Sequence, residues 1–275
     1  MTRLAASLGK ITIGLLAICG ASCSVLEDRR PCPCYLDVDY TEILTSKPLD
    51  GKPGKVDVVA YLPTREYPSA FTLSDCPDIN ENAVERGQAT VVGIVHNRPL
   101  ETFLKTGART VWEPGNQIDS VFVHSSTVDC SGEEAYCLLH PHKRFHTIHF
   151  SDGRGGEVLR TWNMVVRGTT CGFDAVDFST IDGEYLYTIQ EYDADGGVSV
   201  RVPQQREDDL LLEFWSKEDY RKVFSFPVGR YMAATGYDRR AADLCDFDIR
   251  IDFRENLAYV RVADWVDEWI FSIYE

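Results

Sequence analysis

Methionine is scarce in this sequence, at 3 of 275 residues, and helical periodicity is nearly missing from it. Alternation of helix and strand is missing as well, which argues against a doubly wound fold. Cations are in short supply: 28 Lys+Arg face 43 Asp+Glu, for a formal net charge of −15. A surface that acidic repels phosphate backbones, so nucleic acid is not an expected partner. No HExxH, GxSxG, Walker loop or GxGxxG occurs, so nothing in the motifs asks for an enzyme, and no cofactor is expected. Hydrophobic residues make up 44% and aromatics 11%, which argues against disorder and suits strands better than helical bundles. The length accommodates two domains.

The amino terminus carries Arg3 and Lys10 without an acid, then the apolar run Ile11–Ile18. Eight residues are too few for a membrane span but suit a secretory signal. Gly20-Ala21-Ser22 then precede Cys23, the small-residue pattern that a bacterial lipoprotein signal peptidase accepts. Cys19 competes, but Ile18 before it is too bulky. Residues 1–22 are therefore expected to be a lipoprotein signal peptide, residues 23–33 a tether, and Cys23 the lipidated residue. More than one acyl chain makes such attachment stable. Without residues 1–22 the chain has 26 basic and 43 acidic residues, a net charge of −17. Glu27 and Asp28 behind Cys23 agree with export to the outer face of an outer membrane.

Seven cysteines remain after Cys19 and Cys23: Cys32, Cys34, Cys76, Cys130, Cys137, Cys171 and Cys245. An odd number leaves at least one thiol unpaired within the chain. Cys130 and Cys137 flank a Ser-Gly-Glu-Glu turn and are the expected local disulfide. Cys32-Pro33-Cys34 looks like half a zinc site, but no partner motif answers it.

Period-2 patterns dominate. Leu36, Val38 and Tyr40 alternate with polar residues, as do Val198, Val200 and Val202, and Phe247, Ile249, Ile251 and Phe253. Further strands are expected over 56–62, 90–95, 120–124, 145–150, 159–166, 185–189, 210–215, 258–262 and 269–274. Turn-rich stretches separate them, and Ser216–Lys222 offers a turn or two of helix. Many short strands with turns between them read as β-sandwich architecture. The Gly-rich stretch at 152–156 is the expected junction, dividing the body into 34–152 and 157–275.

The segment from His140 to His149 is the most enzyme-like feature. On a strand, however, His146 and His149 face opposite ways, so they cannot share a metal without a bulge. Histidines on a solvated hairpin are the expected reading, with no metal. The Asp193–Gly197 loop lacks the further ligands of an EF-type calcium loop.

Cys23, Leu26-Glu27-Asp28, Cys32-Pro33 and the strand Leu36–Tyr40 follow one another as in the FimB-type fimbrial anchor lipoproteins of the Bacteroidetes, which this chain resembles. The passage from Leu138 to Phe150 looks like the last strands of their first domain. Val166-Arg167-Gly168, Phe226-Pro227-Val228-Gly229-Arg230-Tyr231, Asp252-Phe253 and Val260–Trp265 look like parts of their second. The extra cysteines and the histidine segment depart from the pattern. The resemblance implies an all-β chain, with two tandem transthyretin-like β-sandwich domains after a lipoprotein signal peptide. It implies a non-enzymatic anchor on the outer membrane, facing the cell surface, with a fimbrial shaft subunit as partner. Assembly in this class resembles strand exchange, and Leu36/Val38/Tyr40 or Ile249/Ile251/Phe253 are candidate borders of the slot. Shaft subunits of this class are cut by an arginine-specific protease. Arg29-Arg30 is expected to stay uncut, because cleavage there would sever the body from Cys23. The alternative is a surface glycan-binding lipoprotein using Tyr185, Tyr187, Tyr192 and Trp215.

Overall fold

The computed structural model describes residues 32–41, 55–61, 69–72, 82–96, 108–263 and 265–273. The expected signal peptide, Cys23, Arg29-Arg30 and Cys76 lie outside these residues. Strand β1 (Cys34–Asp39) realises the first alternation: Cys34, Leu36 and Val38 are buried while Tyr35 and Asp37 are exposed. It lies between β4 (Asn82–Val84), antiparallel to it, and β8 (Glu134–Leu138), parallel to it. The facing sheet has the order β3 (Ser69–Thr72), β2 (Lys55–Tyr61), β5 (Gln88–His96), β7 (Phe122–Asp129) and β9 (His142–Lys143). Between the two sheets sit Leu36, Val38, Tyr40, Val56, Val58, Val91, Val95 and Leu139.

A second pair of sheets follows. One has the order β12 (Thr180–Thr188), β11 (Trp162–Asp174), β14 (Leu211–Ser216) and β15 (Lys222–Phe226), with β6 (Arg109–Val111) added to the end of β11. The other has the order β13 (Val198–Pro203), β10 (Phe145–Ser151), β16 (Phe247–Asp252), β17 (Leu257–Val262) and β18 (Glu268–Ser272). Their inner faces bury Ile148, Phe150, Met164, Val166, Val200, Leu212, Phe214, Phe226, Phe247, Ile249, Ile251 and Val260. The chain is thus all-β, with its sheets paired as sandwiches.

Strand β5 departs from simple alternation because it is covered on both faces. Val91 and Val95 belong to the first core, while Val92 and Ile94 join the second together with Val123, Trp112 and Ile118. Its near-continuous apolar sequence, AlaThrValValGlyIleVal, is what double burial requires.

Four expectations change. Phe145–Phe150, likened above to the end of the first sandwich, is β10 of the second, antiparallel to β13 and parallel to β16. Dividing the chain at 152–156 would cut β10 from both partners; the Gly-rich stretch is a loop inside one sandwich. The helix is not at Ser216–Lys222, a tight connection between β14 and β15. Within the second sandwich the helix is α1 (Val228–Ala234), which follows Pro227 and stops at Gly236, where φ is +78°. The strand expected from Leu159 begins at Trp162, because Leu159–Thr161 is one 3₁₀ turn.

That turn is held by Asp152. Its buried carboxylate accepts backbone N–H bonds from Arg154 (2.8 Å), Gly156 (2.9 Å), Val158 (2.7 Å) and Leu159 (3.2 Å). Behind the loop, the backbones of 155–156 and Gly196 pass so closely that a Cβ on Gly156 would collide with the Gly196 carbonyl. Burial raises the Asp152 pKa, the four N–H donors lower it, and the net direction is down. A lowered aspartate contributes stability that is present above the ordinary carboxylate range and is lost as pH falls through it. Asp152→Asn removes the charge and half of the acceptor capacity, and should lower unfolding stability by about 2 kcal/mol at neutral pH. Urea midpoints of variant and parent, converging below about pH 4, check this.

Candidate functional site

For a chain of sheets, the candidate sites are unpaired strand edges, exposed sheet faces and the clefts between loops. Both strands named as candidate borders of a slot lie inside sheets: β1 is flanked by β8 and, at Cys34–Leu36, by β4, and β16 by β10 and β17. Leu36, Val38, Ile249 and Ile251 are ordinary core residues of interior strands. Each sheet ends in two edge strands, and one of these is β18, with which no strand other than β17 pairs among the described residues. The Ile273 N–H bonds to the Asn256 carbonyl, so Glu268, Ile270 and Ser272 turn their backbone groups outward. The Tyr231 hydroxyl caps the Ser272 carbonyl at 2.6 Å, and its ring stacks on Phe271. Beside this edge, Ile270 is 58% exposed and Val266 98%, with Trp265 packed on Trp269.

A second surface is the outer face of the β4–β1–β8 sheet. Tyr35 and Tyr136 stand on neighbouring strands, exposed beside Asp37 and Leu138. The Tyr136 hydroxyl donates to Asp39 Oδ2 at 2.8 Å, which raises the phenol pKa. Sequence reasoning passed over both tyrosines, although each occupies the polar phase of its strand. The aromatics singled out for glycan stacking do not form one platform. Tyr185 is buried with its hydroxyl on the Arg201 carbonyl at 2.8 Å, and Tyr187 and Tyr192 pack against the second core. Trp215 stands on the opposite face of its sheet, donating to Glu213 at 3.2 Å.

The histidines disperse. His142 Nδ1 meets Asp243 Oδ2 at 3.1 Å, while the His140 backbone N–H donates to His124 Nδ1 at 3.1 Å. His149 lies between two carboxylates, Nδ1 on Asp193 and Nε2 on Asp195, both at 3.1 Å. These three side chains form the one group among the described residues with metal-ligand proximity, but each ring nitrogen is already directed at a different acid. His146 points inward as the alternation requires. Its ring is edge-on to Tyr237 and Phe247, and Nδ1–H donates to the Cys245 carbonyl at 2.8 Å.

Cys130 and Cys137, the expected local pair, are not bridged to each other in this structure. The Cys137 thiol lies 3.7 Å from Ser126 Oγ and 3.9 Å from His124 Nε2. Burial raises its pKa and lowers that of His124, so the trio holds a neutral thiol rather than an activated thiolate. A cleft of about 1220 Å³ opens between the 206–211 loop, α1 and residues 237–240. Arg239 pairs there with Asp208, and Tyr231, Arg230 and Arg240 complete a wall of mixed charge.

No protein-family model and no curated protein matches the chain. Solved structures do match. The chain is similar to the fimbrial anchor protein Mfa2 of Porphyromonas gingivalis, with a TM-score of 0.54 and 12% identity, over 88% of this chain and 100% of that one. It is similar to a candidate polysaccharide-binding protein of Bacteroides thetaiotaomicron, with a TM-score of 0.56 and 12% identity, over 89% and 99% of the two chains. A candidate adhesin of the same organism gives a TM-score of 0.52 and 12% identity over 88% and 99%. At such identities the likeness establishes a shared fold, a β-sandwich architecture found in fimbrial and adhesin proteins.

Burial lowers the His146 pKa from 6.5 to about 4, outweighing the Cys245 carbonyl that favours the cation. The folded protein holds this ring neutral, whereas the unfolded chain takes up a proton below about pH 6.5. Stability is therefore complete above that pH and falls as pH drops towards 4, by up to about 3 kcal/mol. In His146→Phe the slope of unfolding free energy between pH 6.5 and 4 should shrink, with His124 supplying the remainder; denaturant midpoints across that range measure it.

Proposed function

We propose that this protein is a non-enzymatic anchor subunit, which tethers a fimbrial shaft to the outer membrane through lipid on Cys23. The supporting observation is the likeness, over 88% of this chain, to a fimbrial anchor protein, in a chain whose Gly20-Ala21-Ser22-Cys23 has the lipoprotein cleavage pattern. The resident partner is the shaft subunit, and the acidic body is held off an anionic membrane rather than laid on it. Contact with the shaft is by β-strand addition. The open edge of β18 offers outward backbone groups at Glu268 and Ile270, and an incoming strand would satisfy them while covering the Ile270 side chain.

A second reading, capture of surface glycan, is favoured by one feature: Tyr35 and Tyr136, exposed with carboxylates beside them on a sheet face. Aromatic faces stack on sugar rings while neighbouring acids accept their hydroxyl protons.

A chromosomal Cys23→Ala replacement separates the readings. Immunoblots of cells and cell-free medium should find shaft polymers released into the medium. A shaft that stays cell-bound while this protein alone is mislocalised would sink the anchor reading and leave glycan binding in first place.

A further inference from the structure

Three thiols are buried in the first core, Cys34, Cys130 and Cys137, with exposures of 0%, 0% and 3%. Their positions are not equivalent. Cys34 opens β1 opposite Val84 of β4, and Cys130 follows β7, exchanging backbone hydrogen bonds of 2.8 and 3.3 Å with Gly87. Val84 and Gly87 are the two sides of the short turn joining β4 to β5. Cys34 and Cys130 therefore reach the same end of the sandwich from its two facing sheets, and Cys34 is near enough to help raise the pKa of Cys130. Cys137 belongs to another level. It pairs with Val38 in the parallel β1–β8 ladder, four residues along from the level of Cys34. At strand rise that is about 13 Å, against a Cα separation of roughly 7 Å or less in a disulfide. Its thiol is engaged instead with Ser126 and His124.

We propose that Cys34 and Cys130 form a disulfide joining the two sheets of the first sandwich, and that Cys137 remains a thiol. The proposal rests on the reading of this chain as exported, since the cell envelope is where such bonds persist. The oxidant is a disulfide-form thiol oxidoreductase or a small-molecule disulfide. Each thiol loses a proton, the pair gives up two electrons, one S–S bond forms, and the oxidant's S–S bond is reduced to two thiols. The bridge would close a loop of about 95 residues, the long-loop case in which restriction of the unfolded chain is greatest. It would also fasten β1, the strand nearest the proposed tether, to the sheet behind it.

The test uses the full chain with Cys32→Ala, which removes the adjacent thiol that would confuse mapping. Protein refolded in a glutathione redox buffer is alkylated and digested without reduction by a glutamate-specific protease. That enzyme separates Cys130 from Cys137 at Glu133 and Glu134. A peptide pair joining Cys34 to Cys130, with Cys137 alkylated, is the expected result. A Cys130–Cys137 link, or alkylation of all three, overturns the proposal. Adding Cys34→Ala should lower Tm by roughly 5–15 °C in oxidised protein and far less in reduced protein. An equal loss in both overturns the bridge as the source of that stability. Acid-quenched cells distinguish the two readings: a bridge that forms in vitro but is absent in cells overturns export while the pairing stands.

Discussion

Burial of β5 on both faces is the constraint around which this molecule is arranged. Its neighbour β2 is likewise buried from Val56 to Ala60, but β5 contributes apolar side chains to both cores. Its Val91 and Val95 complete the first sandwich, and its Val92 and Ile94 abut the core of the second. Within that doubly covered layer His96 Nε2 meets Asp57 Oδ2 at 2.5 Å, with exposures of 0% and 1%. A buried polar pair of this kind is tolerated only when each partner satisfies the other, so β2 and β5 are held in one register. Both residues stand on the face turned towards the second core, where a slip by one residue would exchange apolar and polar faces.

The same layer explains why the chain does not divide cleanly in sequence. It leaves the first sandwich after β5, lends β6 to the end of β11, and returns for β7 to β9 before entering the second sandwich as β10. β10 then becomes an interior strand, antiparallel to β13 on one side and parallel to β16 on the other. The parallel pairing needs a long crossover, and much of the second sandwich is wound within it. β1 and β16 lie inside their sheets. The last strand, β18, by contrast ends its sheet and carries exposed Ile270.

Polar residues in the histidine segment serve mainly as structural partners. His146 closes the second core against Tyr237 and Phe247, and His142 meets Asp243. His149 is clasped between Asp193 and Asp195, in the loop whose Gly196 passes against the Asp152-held turn. Motif reading gathered these rings because they are close in sequence. Strand alternation and the meeting of distant loops then sent them to separate environments.

Sequence alone determined the all-β class, because period-2 burial is local: Leu36–Val38 and Phe247–Ile251 must point to one side of any strand they form. It also determined that His146 and His149 face apart, and its residues just before Cys23 supplied the lipoprotein pattern. Pairing partners, however, are set by contacts between residues far apart in the chain. Local pattern therefore did not assign Phe145–Phe150 to the second sandwich, place Cys34 rather than Cys137 beside Cys130, or leave β18 at an edge. Those choices follow from which faces can be covered at once, and the tertiary structure decided them.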